Sequence, residues 1–259
     1  MKTILFYLSI CVFCLSFSKT YAQESNNGTS STTNSENMPK KGFKYNNNFD
    51  VAINVGGGEF ASAFSWVKFH GIGKKQKFKI GYGLRLSNYF GADKKYITAP
   101  ASLTTGKTGA LVIFQDNIEK NFDTLSLSSA QVNSLNASIN LQYSFSPKFE
   151  IGFNIDAIGF NFGGKQAGIL QSTLTNPNKT AVSSTPTTFN ALLISDNDLG
   201  SLNSEFYARY WLSPKFAIRA GVGFMFTEYT TDKKYVLDND RYRYKSLMGL
   251  IAFTYSPFR

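Results

Sequence analysis

The sequence predicts an all-β fold: an antiparallel, transmembrane, up-and-down β-barrel of about eight strands, with short periplasmic turns at one rim and long extracellular loops at the other. Three observations predict it. Long segments alternate apolar and polar residues with period two, the spacing that puts successive side chains on opposite faces of a strand. One turn motif recurs, as Ser146-Pro147-Lys148-Phe149, Ser213-Pro214-Lys215-Phe216 and a shortened Ser256-Pro257. Proline offers no N–H to a ladder, so each copy marks a place where strand pairing ends. Finally, no segment beyond the amino-terminal run is long and apolar enough for a membrane helix, so a membrane protein of this sequence must cross with strands.

The first element is a secretory signal. Met1-Lys2, an apolar run from Ile4 to Phe17 and the small residue at Ala22 place cleavage after about Ala22. The run is shorter than the roughly 18 to 20 residues a spanning helix needs. Both cysteines, Cys11 and Cys14, fall inside it, so the exported chain has no thiol, disulfide or cysteine metal site. Its removal takes Lys2 and Lys19 and lowers the net charge from +10 to +8. That balance does not point to nucleic acid, because an exported chain rarely meets it and no cluster of five or more basic residues occurs. Residues 23–42 are rich in Ser, Asn and Thr and too polar to offset their chain entropy, which predicts a flexible leader. The barrel is assigned to 43–259.

The strands follow in order. Phe43 to Val55 forms the first, with Phe43, Tyr45, Phe49, Val51, Ile53 and Val55 on one face. Gly56-Gly57-Gly58 either reverses the chain, giving Glu59 to Phe69 as strand two and eight in all, or only kinks it, giving seven; the even count favours the turn. His70 to Gln76 reads as a connection, with His70 a solvated turn residue. Lys77 to Gly91 is strand three. The Ser-Pro-Lys turns then join two long hairpins. In the first, Leu135, Ala137, Ile139, Leu141, Tyr143 and Phe145 oppose Asn136, Ser138, Asn140, Gln142 and Ser144, and Phe149, Ile151, Phe153, Ile155 and Ala157 oppose Glu150, Asn154 and Asp156. In the second, Leu202, Phe206, Ala208, Tyr210 and Leu212 oppose Asn203, Glu205, Tyr207, Arg209 and Trp211, and Phe216 to Phe226 continues the alternation. The last strand runs from about Tyr242 to Tyr255. Residues 92–130, 164–198 and 229–241 read as long loops.

The polar faces carry the candidate functional residues. Arg85, Glu150, Asp156, Glu205, Arg209 and Arg219 point into the lumen and include both signs, as buried charge requires. They form either a salt-bridge network that packs the lumen or the lining of a narrow polar path. Enzyme chemistry has little to work with. His70 is the only histidine, so histidine triads and His/Cys metal sites cannot be assembled, and the carboxylates are scattered. No cofactor is implied. The aromatics beside the Ser-Pro turns, Tyr143, Phe145, Phe149, Tyr210, Phe216, Phe253 and Tyr255, suit an interfacial girdle. A soluble lipocalin-type barrel, with the apolar face inward, is the weaker alternative.

The Tyr21-Ala22-Gln23 signal end, the Ser-Pro-Lys-Phe turns, the Gly152-Phe-Asn-Ile-Asp156 strand and the aromatic-rich final strand resemble the small outer-membrane β-barrels of the OmpA/OmpX-like group, and above all the Bacteroidota-type barrels. The resemblance implies an outer-membrane location, contact with outer-membrane lipid and lipopolysaccharide, and insertion by the outer-membrane assembly machinery. The sequence departs from the pattern at Phe258-Arg259, where an aromatic terminus is expected. On this reading the protein is non-enzymatic, a structural or interaction barrel or an accessory subunit of an envelope protein complex. The alternative is a porin-like transport barrel for small solutes or lipids.

Overall fold

In a computed structural model, the structure describes residues 46–174, 179–193 and 195–257. The expected signal and leader, together with Phe43 and Tyr45, lie outside the described residues. Eleven antiparallel strands follow one another: β1 (Asn46–Gly56), β2 (Glu59–Ile72), β3 (Phe78–Thr98), β4 (Thr124–Ser144), β5 (Phe149–Phe162), β6 (Gln166–Gln171), β7 (Thr180–Pro186), β8 (Phe189–Ala191), β9 (Leu202–Trp211), β10 (Phe216–Thr231) and β11 (Arg241–Tyr255). A single helical turn, Ala101–Thr104, follows β3.

Eight of these strands close a barrel in the order β1-β2-β3-β4-β5-β9-β10-β11. Closure comes from β11 pairing with β1, from Phe49 opposite Tyr255 to Val55 opposite Gly249. The triple glycine turns the chain, with Gly56 opposite Glu59 and Gly58 at φ 67°, a conformation glycine adopts without strain. That settles the barrel ring at eight strands.

The barrel is apolar outside and polar inside. On β4, Leu135, Ile139 and Tyr143 are exposed while Asn136, Ser138, Asn140 and Gln142 are buried. From Leu135 down to Phe145 the chain spans roughly 25 Å, at ~3.3 Å per residue and a tilt of ~40°. Above Leu135 the outer face of β4 turns polar, through Asn133, Gln131, Ser129 and Ser128.

Above that level the wall is rebuilt with six strands. β3 pairs with β11 (Thr98 opposite Tyr242), β4 with β6, β6 with β7, and β7 with β10, so the ring β3-β4-β6-β7-β10-β11 closes a second time. This narrower tower has its own apolar core, including Tyr96, Leu125, Leu127, Leu170, Val182, Tyr229 and Tyr242.

The tower corrects the loops expected at 92–130, 164–198 and 229–241, large parts of which are strand. The alternation slips by one where Ala92 and Asp93 both face out, with Asp93 at φ 50°, and again at Ser128 and Ser129, while the β3–β4 register runs on unbroken. A pattern followed along one face therefore stops there although the strands do not. A bulge beside Ala157 does the same on β5, after which Ile158, Phe160 and Phe162 face out. His70 is corrected too: it lies in β2 opposite Ile80, with its ring stacked 5.8 Å from that of Tyr82.

Candidate functional site

Inside the barrel, charged side chains from five of the eight ring strands converge on one network. Arg85 on β3 lies 3.0 Å from Asp156 on β5 and 3.6 Å from Glu205 on β9. Arg219 on β10 reaches Glu205 at 3.4 Å and Asp50 on β1 at 3.7 Å. Arg209 on β9 joins Asp50 at 3.5 Å and Glu150 at 3.7 Å. Lys79 closes the turn end against Glu150 at 3.0 Å. The six residues expected in the lumen thus share one network with Asp50 and Lys79, and the three arginines are at most 3% exposed.

Neutral groups add further hydrogen bonds to the network. Asp156 accepts from Asn136 Nδ2 at 2.9 Å and from the Asn203 N–H at 3.1 Å. Glu150 accepts from the Trp211 indole N–H and the Ser144 hydroxyl, both at 2.9 Å. Glu205 accepts from Asn154 Nδ2 at 2.9 Å, and Gln142 accepts from Arg209 at 2.7 Å. The Tyr207 ring lies 4.3 Å under the Arg219 guanidinium, and Gly152 opposite it on β5 leaves the space that ring occupies. Four acids meet four bases, so the network is neutral and each charge keeps a counter-charge in a region poor in water.

Higher up, Glu59 and Lys94 form a second internal pair at 3.2 Å, with the Tyr89 hydroxyl donating to Glu59 at 2.9 Å. The apolar core of the tower follows, where the Tyr96 and Thr227 hydroxyls bond at 2.8 Å. The lumen is therefore occupied at every level, first by charge and then by aromatic and aliphatic side chains.

A third cluster lies outside the wall. Glu228 on β10 holds Arg241 at 2.7 Å and Arg243 at 2.8 Å, both on β11. The segment between β8 and β9 folds over them: Asp196 binds Lys245 at 2.5 Å, and the Asp198 carbonyl accepts from both arginines. This segment explains two departures from the expected apolar face, since Leu202 and Phe226 are only 2% and 8% exposed. Burial pushes the Asp198 carboxyl up to about 6, against the opposing pull of the Leu193 N–H bond and the Arg243 charge.

The turns have one geometry written twice. Ser146 Oγ accepts from the N–H of Lys148 at 3.3 Å and of Phe149 at 3.0 Å, and Ser213 Oγ accepts from Lys215 at 3.3 Å and Phe216 at 3.1 Å. Pro147 and Pro214 sit at the exposed tips. Around them the aromatics pack, with Tyr143 edge-on to Phe145 at 4.9 Å and Phe216 stacked on Tyr255 at 5.2 Å. Ser256, from the shortened third copy, docks by its N–H on the Lys215 carbonyl at 2.8 Å.

Sequence reasoning missed Asp50, Lys79, the Glu59–Lys94 pair and the outer cluster. Asp50 alternates with Val51 and Ile53, so the signal was present in the strand pattern. Lys94 lies beyond the slip and inside an expected loop, where that pattern gives no sign of it, and Arg243 lies at the start of the expected last strand on its outward parity, away from the lumen positions.

No protein-family model and no curated protein matches the chain. Among solved structures it is similar to Neisserial surface protein A, at 8% identity over 83% of this chain and 97% of that one, with a TM-score of 0.34. It is also similar to the Ralstonia pickettii toluene transporter TbuX (11% identity, 82% and 88% covered, TM-score 0.20) and the Pseudomonas putida toluene transporter TodX (8%, 86% and 90%, 0.22). At these TM-scores the likenesses carry no argument, and the fold stands on the strand pairing.

Proposed function

We propose that the protein is an integral outer-membrane β-barrel that does not conduct and has no enzymatic activity, acting through its surface as a structural or interaction protein or as an accessory subunit of an envelope assembly. The observation that carries this reading is the inverted distribution of side chains: a continuous apolar exterior about as tall as a bilayer's hydrocarbon layer, around a neutral, filled interior. A soluble barrel of lipocalin type would need the opposite arrangement. The interior argues against transport, because each lumen charge already has a protein partner and the tower core lies above them. On this reading the Ser-Pro turns face the periplasm, the tower stands outside the cell, and lipopolysaccharide and the assembly machinery are the first partners the chain meets. Fractionation of native membranes with gels run with and without boiling tests it. A heat-modifiable band in the outer-membrane fraction is expected, and recovery in the soluble fraction would overturn the reading.

A further inference from the structure

The charges of the described residues are partitioned by height. The described residues hold twenty-one basic and fifteen acidic side chains. The lumen network takes four of each, and the tower with its loops and the Glu59–Lys94 pair takes eleven of each. Both regions are therefore neutral, and the whole excess is the six lysines left at the turn end: Lys68, Lys74, Lys75, Lys77, Lys148 and Lys215. Among the described residues no exposed acid shares that rim. Glu150 and Asp50, the nearest carboxylates, are at most 2% exposed and committed to the lumen.

Resting on the membrane reading above, we infer that this rim is a docking surface for anionic phospholipid headgroups in the leaflet at the turn end. Three features fit it to that ligand. Lys148 and Lys215 follow Ser-Pro in turns of matching geometry, so both stand at the same exposed position of their turns. Each stands immediately beyond the aromatic girdle, Lys148 beside Phe145 and Phe149 and Lys215 beside Phe216 and Tyr255, which is the depth of phosphate groups when aromatic rings lie at the interface. The β2–β3 turn adds Lys74, Lys75 and Lys77, all exposed, and long lysine stems can lie along apolar wall while their heads reach the phosphates.

The chain carries its own reporter. It has two tryptophans, and Trp66 lies on the outer face of β2 two residues from Lys68, whereas Trp211 is buried in the lumen. The full chain is reconstituted in phosphatidylcholine vesicles with a fixed fraction of either brominated phosphatidylglycerol or brominated phosphatidylcholine, and quenching of Trp66 is compared. The anionic lipid should quench about twofold more strongly at low salt and lose that advantage at high salt. A variant with Lys74, Lys75, Lys77, Lys148 and Lys215 changed to Gln should quench equally with both. Equal quenching of the unaltered chain at low salt would overturn the inference. Heat-modifiable migration of the same samples reports insertion, so a chain that fails to insert overturns the membrane reading, and one that inserts without lipid preference overturns this inference alone.

Discussion

At the scale of residues the lumen network rests on shared partners. Glu205 serves both Arg85 and Arg219, so Glu205→Ala leaves two buried guanidinium groups short of charge. Removing one partner of a buried ion pair costs about 3–5 kcal/mol. The urea midpoint for unfolding in detergent should fall accordingly, and an unchanged midpoint would show that the network adds nothing to stability. Asp198 behaves differently because it lies in the segment between β8 and β9, outside the barrel ring. Its folded pKa of about 6 is above the ordinary aspartate value of ~3.9, so the closed segment binds a proton more tightly than the open one. Closure is thus favoured fully below about pH 4, and the advantage, at most about 3 kcal/mol, is lost as pH rises through about 6. The charged groups facing it are Arg243, Arg241, Lys245, Asp196 and Glu228. Hydrogen exchange at Leu193, corrected for the intrinsic rate, should be slower at pH 5 than at pH 7.5, and Asp198→Asn should abolish the difference. A variant that kept the full pH dependence would assign it to another group.

At the scale of elements, alternation shows both how much was legible and where legibility ended. The two Ser-Pro hairpins could be read residue by residue, because in β4, β5, β9 and β10 the polar face and the lumen face are the same set of positions. The tower could not, since one extra outward residue at Asp93 and another at Ser128 reverse the parity without ending the strands. Composition hid it as well: Ser, Thr and Lys on an exposed strand beyond the apolar belt look like the same residues in a loop. Within the lumen, the arginines and carboxylates could be found from sequence but their pairing could not, because strand neighbours such as β5 and β9 are separated by the three intervening strands β6, β7 and β8. The close packing across that neighbour pair yields a prediction. A Cβ at Gly152 would sit 2.4 Å from the Tyr207 ring. Gly152→Ala should displace the ring from beneath Arg219 and cost about 1–3 kcal/mol by overpacking, read as a lower unfolding midpoint. No loss of stability would mean that the ring moves freely.

At the scale of the whole molecule, an eight-stranded ring carries a six-stranded one, and each is closed by hydrogen bonds. A barrel of eight strands has an interior that side chains can fill, and here they do so at neutral net charge. Arg219→Ala should weaken the network through loss of its links to Asp50 and Glu205 while leaving the Arg85, Arg209 and tower contacts in place, so it should lower stability without opening a path. The measurement that bears most directly on a sealed interior is ion conductance of the purified full chain in planar bilayers, with insertion verified on the same preparation. Neither the unaltered protein nor Arg219→Ala should give steady open-channel current. Discrete, long-lived conductance steps from the unaltered protein would contradict the sealed lumen and make the barrel a channel.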